Sequence, residues 1–157
     1  MSNNYINIYN NLIKLTRNKY LYLNLKNEET FSDRIIFLLL HLSFFFKVYK
    51  ENNSKSILQE IHDLIFNQIE LSIREIGYGD VSINKNMKKY VNLFYNILSK
   101  IDVWENYEFN EKNDILNSYI NNPKNISFFT NYFDNLSNFY KNNALNYFTK
   151  DIEEFKI

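Results

Sequence analysis

At 157 residues the chain has the length of one domain, and its 18 basic and 18 acidic side chains cancel, so no overall field draws it to DNA or to an anionic surface. The absence of cysteine excludes disulfides, thiol catalysis and thiolate metal sites. One proline and two glycines leave too few turn positions for a strand-rich fold. The expectation is an all-α, single-domain helical bundle of about six to seven helices spanning residues 1–157. Residues 1–11 lack the patterns of a secretion signal or an organelle presequence. The longest apolar run, residues 35–46, is broken by His41 and Ser43 and falls short of the roughly 20 residues a membrane span needs. A soluble chain is expected.

The first helix is expected over about residues 4–19, with Ile8, Leu12 and Leu15 on one face. Thr30 and Asp33 have capping-box spacing and open a second helix that runs to about residue 50. Apolar nearly all round over residues 35–46, this helix is the natural central, buried element. Lys47 and Lys50 lie at its C-terminal end, where the helix dipole favours cations. Ser56 and Gln59 also have capping-box spacing, ahead of a third helix in which Ile57, Ile61, Leu64, Ile65, Ile69, Ile73 and Ile76 recur every three or four residues. Glu70 and Arg74 form a favourable i,i+4 pair on it, and it should stop at Gly77. A fourth helix begins near Ser82 or Ile83 and buries Ile83, Met87, Tyr90, Val91, Phe94, Leu98 and Ile101. Beyond Trp104 the periodicity weakens. One helix is placed over about residues 113–120, ended by Pro123, and one or two more over residues 127–155.

Both glycines of the chain fall in one corner, Gly77-Tyr78-Gly79-Asp80. Glycine takes positive φ without steric penalty, so Gly77 reads as a helix C-cap and Gly79 as a second tight position in a helical hairpin. A phosphate cradle would need the longer Walker spacing, or three glycines after a strand; neither is present. Lys85, Lys88 and Lys89 crowd the first two turns of the next helix, where the dipole disfavours cations and Asp80 offsets only part of the cost. Such a start is a docking point for an anionic group or an acidic partner surface; the plainer alternative is a solvated lysine-rich face.

The stretch "LSIREIGYGD", followed by "INKNMKKYVNLFY" and preceded by "FSDRIIFLLLHL", resembles the ubiquinol–cytochrome c chaperone family. The family pattern has an arginine and an acidic residue before a Gly-x-Gly-Asp turn and a Lys-x-Met-Lys-Lys helix start. An earlier helix carries an aspartate, an arginine, leucines and a histidine. The resemblance covers about residues 21–95 and continues more faintly to residue 145. Asn84, Asn96, Ile97 and His62 stand where the family often has proline, glycine, arginine and an aromatic residue. What the resemblance implies is a non-enzymatic assembly factor for ubiquinol–cytochrome c reductase (respiratory complex III) that receives newly made cytochrome b. It implies no cofactor and, in mitochondria, work beside the ribosome exit region with a small helper protein. It also implies peripheral membrane contact, on the cytoplasmic side of a bacterial inner membrane or the matrix side of a mitochondrial one. Arg34, His41, Arg74, Glu75 and Asp80 are then expected in one polar cluster that braces the turn and, with Lys85, Lys88 and Lys89, shapes the partner-binding surface.

Other chemistry is thinner. A histidine within an apolar run, as His41 is, ordinarily belongs to a hydrogen-bonded core, although seven-residue spacing puts it on the face of Arg34. His62-Asp63 superficially matches metal-dependent helical phosphohydrolases, with His41 and Asp102 as nominal further ligands; this is the alternative function. Lying off the main apolar stripe, His62 reads more simply as half of a solvated pair. No catalytic group and no metal set is assigned. Phe44, Phe45, Phe46 and Tyr49 go round most of a helix, which suits core packing or, alternatively, a groove for a nascent transmembrane segment.

Overall fold

In the computed structural model, which describes residues 2–155, the chain forms α1 (Ser2–Thr16), α2 (Lys19–Leu23), α3 (Phe31–Tyr49), α4 (Lys55–Ile76), α5 (Asp80–Ile101), α6 (Phe109–Asn117) and α7 (Ile126–Lys141), with 3₁₀ turns at Trp104–Asn106 and Leu145–Thr149. Met1, Lys156 and Ile157 of the expected 1–157 domain lie outside the described residues. Six helices are substantial and α2 has five residues; among the described residues, β pairing is limited to the isolated bridge between Leu25 and Pro123.

Helix α3 is the axis. Thr30 and Asp33 close their capping box as the spacing predicts: the Thr30 hydroxyl accepts from the Asp33 amide at 3.1 Å, and the Asp33 carboxylate accepts from the Thr30 amide at 3.0 Å. With apolar residues on every face, α3 must be covered on every side, and α1, α5 and α7 pack around it. Phe44 stacks on Phe133 of α7 at 5.3 Å and meets Trp104 edge-on at 5.1 Å. Phe45 lies against Tyr140 and Phe148, each at 5.5 Å, and Phe46 against Phe94 of α5 at 5.4 Å. All three rings and Tyr49 are buried. The alternative of an external groove built on them is thereby overturned, because α5, α7 and the 3₁₀ turns already occupy those directions.

Several boundaries differ from the sequence expectations for local reasons. Helix α1 ends at Thr16, and the chain restarts as α2 because the Asn18 side chain accepts from the Tyr20 amide at 3.0 Å. Ser54 caps α4, not Ser56: its backbone is extended, and its hydroxyl accepts from the Ile57 amide at 3.2 Å. Ser56 is already helical, and Gln59 bonds Asp63 at 2.8 Å instead of closing a box. Helix α6 starts at Phe109, where the Glu111 carboxylate accepts from the Glu108 amide at 3.2 Å, so it lies four residues earlier than Asn113.

The two ends of the chain meet through amides. Asn11, fully buried on α1, donates to the carbonyls of Phe148 and Lys150 at 2.9 and 2.8 Å, and Asn7, one turn earlier, donates to that of Thr149 at 2.9 Å. Lys14 pairs with Asp151 at 2.7 Å. An asparagine-rich helix thus serves as a polar strap for carbonyls at the end of the Leu145–Thr149 3₁₀ turn and just beyond it.

Candidate functional site

The α4–α5 corner is open to solvent: residues 74–82 are all exposed. Gly77 caps α4 in the left-handed region at φ 99°, as predicted, and its amide donates to the Arg74 carbonyl at 3.0 Å. Gly79 is a correction. It is the N-cap of α5 with an extended backbone, φ −72° and ψ 162°, and a Cβ there would meet no heavy atom within 4 Å. The second glycine is not geometrically required.

Because Gly79 caps the helix, α5 begins at Asp80, two or three residues before the expected start. Asp80 therefore sits in the first turn, where its carboxylate complements the helix dipole, and it accepts from the Arg74 guanidinium at 2.9 Å. Lys85, Lys88 and Lys89 move correspondingly into the second and third turns, beyond the short reach of the dipole, so the expected dipole penalty does not apply. All three are exposed, and no carboxylate lies within ion-pair distance of them among the described residues.

The expected polar cluster divides into three. Arg74 and Asp80 stay together at the corner, with Glu70 a looser partner at 3.9 Å. Glu75 and Arg34 line a groove between α1, α3 and α4, without an ion pair between them among the described residues. This groove has a volume of about 380 Å³; Ile13, Ile35, Leu38 and Ile69 make its floor, and Arg17, Ser72 and Ile76 lie at its edges. Tyr22, whose hydroxyl donates to the Thr16 carbonyl at 2.7 Å, also lines it, and burial followed by the charge of Glu29 pushes that phenol up to about 12. The groove is a feature the sequence reading missed, since one wall comes from α1, far away in the chain.

His41 belongs to neither part. It is fully buried between α3 and α7, with Nδ1 2.6 Å from the Phe37 carbonyl and Nε2 2.6 Å from the Tyr132 hydroxyl. A carbonyl only accepts, so Nδ1 carries the proton and donates, and Nε2 accepts from Tyr132. Burial drives the imidazole down to about 4, against the opposing bond to Phe37, so it is neutral at physiological pH. Facing α7, His41 cannot brace the corner, where the family resemblance implied it; it is the hydrogen-bonded core histidine that its apolar run suggests. The i, i+3/i+4 stripe Phe129, Tyr132, Phe133, Leu136 and Tyr140 is the sequence signal that could have identified its partner helix.

The residues of the phosphohydrolase alternative are scattered. His62 is a correction too: its side chain is only 13% exposed, packed at 4.7 Å from Phe66 and 5.8 Å from Phe94, with Nδ1 3.1 Å from Asp63 and Nε2 3.2 Å from the Tyr95 hydroxyl. Asp102 is held by Lys50 at 2.6 Å at the far end of α5, and His41 is sealed in the core. Among the described residues no group of three or more His, Asp or Glu side chains is arranged to hold a metal ion.

A sequence profile described as ubiquinol-cytochrome C chaperone matches residues 23–107, more than half of the chain. The chain belongs to the ubiquinol–cytochrome c chaperone family. No curated protein and no solved structure matches it. In this member the family segment contains α3, α4, α5 and the corner whole, while α1, α6 and α7 lie outside it. The outer elements complete what the segment leaves open: α7 supplies Tyr132 to His41, and α1 supplies Tyr9 and Ile13 to the groove. Among the described residues no helix of this family member is long and apolar enough to cross a membrane.

Proposed function

We propose that this chain is a non-enzymatic assembly chaperone that binds newly made cytochrome b and promotes assembly of ubiquinol–cytochrome c reductase. The observation that carries the reading is the family match over residues 23–107, the segment holding both the central helix and the exposed corner. The groove supports it. An apolar floor with Arg17, Arg34, Ser72 and Glu75 around it can accept apolar side chains of a client while meeting polar groups beside them. Side chains that an assembled complex will bury need such a temporary partner, and a shallow groove releases them more readily than a closed core would. The scattered positions of His41, His62, Asp63 and Asp102 give the enzyme alternative no support.

On this reading the protein works at the membrane periphery, at the inner membrane of a bacterium or on the matrix side of a mitochondrion, with the ribosome exit region and a small helper protein as further partners. The test is to delete the gene in its host and, separately, to purify the tagged chain and identify what accompanies it. Loss of the assembled reductase, together with co-purification of cytochrome b, is the expected pair of results. Unchanged cytochrome b and reductase levels, with no cytochrome b on the purified chain, would end the proposal.

A further inference from the structure

The α4–α5 corner combines two surface features. The first is apolar. Ile76, Tyr78 and Val81 are 53%, 47% and 85% exposed, and Leu71 lies open on the preceding turns of α4. Single exposed apolar residues are ordinary on any protein, but here three fall within six residues at the tip of a hairpin. The second is charge. Residues 74–89 carry four basic and two acidic side chains in a chain whose total is zero, and Arg74 is engaged with Asp80. With that pair cancelled, the three lysines outnumber Glu75 by two, and they have no carboxylate within ion-pair distance among the described residues.

Helix geometry arranges these features in depth. Val81, Lys85, Lys88 and Lys89 stand at i, i+4, i+7 and i+8 and so share one face of α5, opposite the buried Ile83, Tyr90 and Phe94. At a rise of about 1.5 Å per residue, the lysine backbones follow roughly 6 to 12 Å behind Val81. An apolar tip, a phenol beside it, and then ammonium groups on long flexible stems reproduce the layers of an interfacial anchor: acyl boundary, headgroup boundary and phosphates. An acidic protein face would satisfy the lysines, but it gives no reason for this order along one axis.

We propose that the α4–α5 corner is a membrane anchor, with Ile76, Tyr78 and Val81 entering the interface of an anionic bilayer and Lys85, Lys88 and Lys89 binding its phosphate headgroups. The inference deepens the peripheral placement given under the proposed function and rests on that reading for its cellular setting, but lipid binding is measurable without cytochrome b.

The experiment floats the purified full-length chain with phosphatidylcholine vesicles, with and without phosphatidylglycerol, at low and high salt. Binding is expected only with the anionic lipid and should weaken with salt. The triple variant Lys85→Gln, Lys88→Gln, Lys89→Gln should lower partitioning on the order of 100-fold, at roughly fivefold per lysine. A control triple with the same charge change, Lys55→Gln, Lys124→Gln, Lys150→Gln, alters exposed lysines away from the corner and should bind as the unmodified chain does. Val81→Trp gives a depth readout: its emission should be quenched by brominated lipid, while buried Trp104 stays unquenched. No binding to anionic vesicles, an equal loss in the control triple, or no lipid quenching in Val81→Trp overturns the proposal. So does a corner triple that keeps vesicle binding while losing cytochrome b, since the corner is then a protein-docking face. If vesicles bind as expected but cytochrome b never co-purifies, the anchor stands and the chaperone reading falls.

Discussion

His41 and Lys88 both lie in the family segment and both carry a titratable nitrogen, yet the fold holds them in opposite ways. Both ring nitrogens of His41 are committed, one to the Phe37 carbonyl and one to Tyr132, and Tyr140 donates to the His41 carbonyl at 3.1 Å. Lys88 sits on an exposed face with Lys89 next to it and Lys85 one turn away, and no carboxylate within ion-pair distance among the described residues. Interior polar groups that are fully paired serve the uniqueness of the core. Cations left unpaired near an apolar tip contribute nothing to folding, so the difference separates a structural histidine from a surface available for work. The molecule follows the same division more widely: the basic groups near the C-terminal end of α3 are all engaged, Lys47 with Glu105 at 3.1 Å and Lys50 with Asp102 at 2.6 Å.

The largest expected contrast is in stability. Phe45→Ala should lower unfolding free energy by about 3–5 kcal/mol, because it empties a site enclosed by Tyr49, Tyr140 and Phe148. Val81→Ser should stay within about 0.5 kcal/mol. Denaturant titration of the two variants checks this; comparable losses would mean that the corner is packed after all.

A second test uses acid. The unfolded chain protonates His41 near its ordinary value of 6.5, whereas the folded chain resists until about 4. Stability from this residue is therefore complete above 6.5 and drains away as the pH falls toward 4, by on the order of 3 kcal/mol. His41→Leu should start lower, by about 1–3 kcal/mol, because the Tyr132 hydroxyl loses its acceptor. It should also lose less stability across that window. An unfolding curve with the same pH slope in both proteins would remove His41 as the cause.

The glycines sharpen the comparison within the corner itself. Gly77→Ala forces a Cβ into the left-handed region and should cost about 1–2 kcal/mol. Gly79→Ser meets no atom, adds a capping hydroxyl and restricts the unfolded chain, so a gain of about 0.5 kcal/mol is expected. Melting temperatures moving in the same direction would contradict the two backbone assignments. The smallest effect belongs to the lysines. Replacing Lys85, Lys88 and Lys89 by glutamine relieves like-charge i,i+3 and i,i+4 contacts and should raise stability by a few tenths of a kcal/mol, read by circular dichroism on heating.

The all-helical fold, the central α3 and the Gly77 cap were legible because each rests on local chemistry: a sustained 3.6-residue pattern, a capping box and a residue free to take positive φ. The start of α4 was not, since Ser54 and Ser56 are both able to cap and only Ser54 has the extended backbone that the role demands. The same ambiguity displaced the start of α5 and with it the dipole argument for the lysines. Long-range pairings were invisible for a different reason. Tyr132 lies 91 residues from His41, and a seven-residue spacing reports which helix face a residue occupies, not which helix covers it. The groove was hidden likewise, because its α1 wall and its α3 and α4 walls carry no shared signature in one sequence.

The amide strap between Asn11 and the carbonyls of Phe148 and Lys150 sets an order of events. Asn11 lies between Tyr9 and Ile13 on α1, so the wall that these two give the groove is fixed only once α1 and residues 148–150 have met. At helical spacing Asn11 points away from Tyr9 and Ile13, so a tether on one side of α1 steadies the cleft on the other.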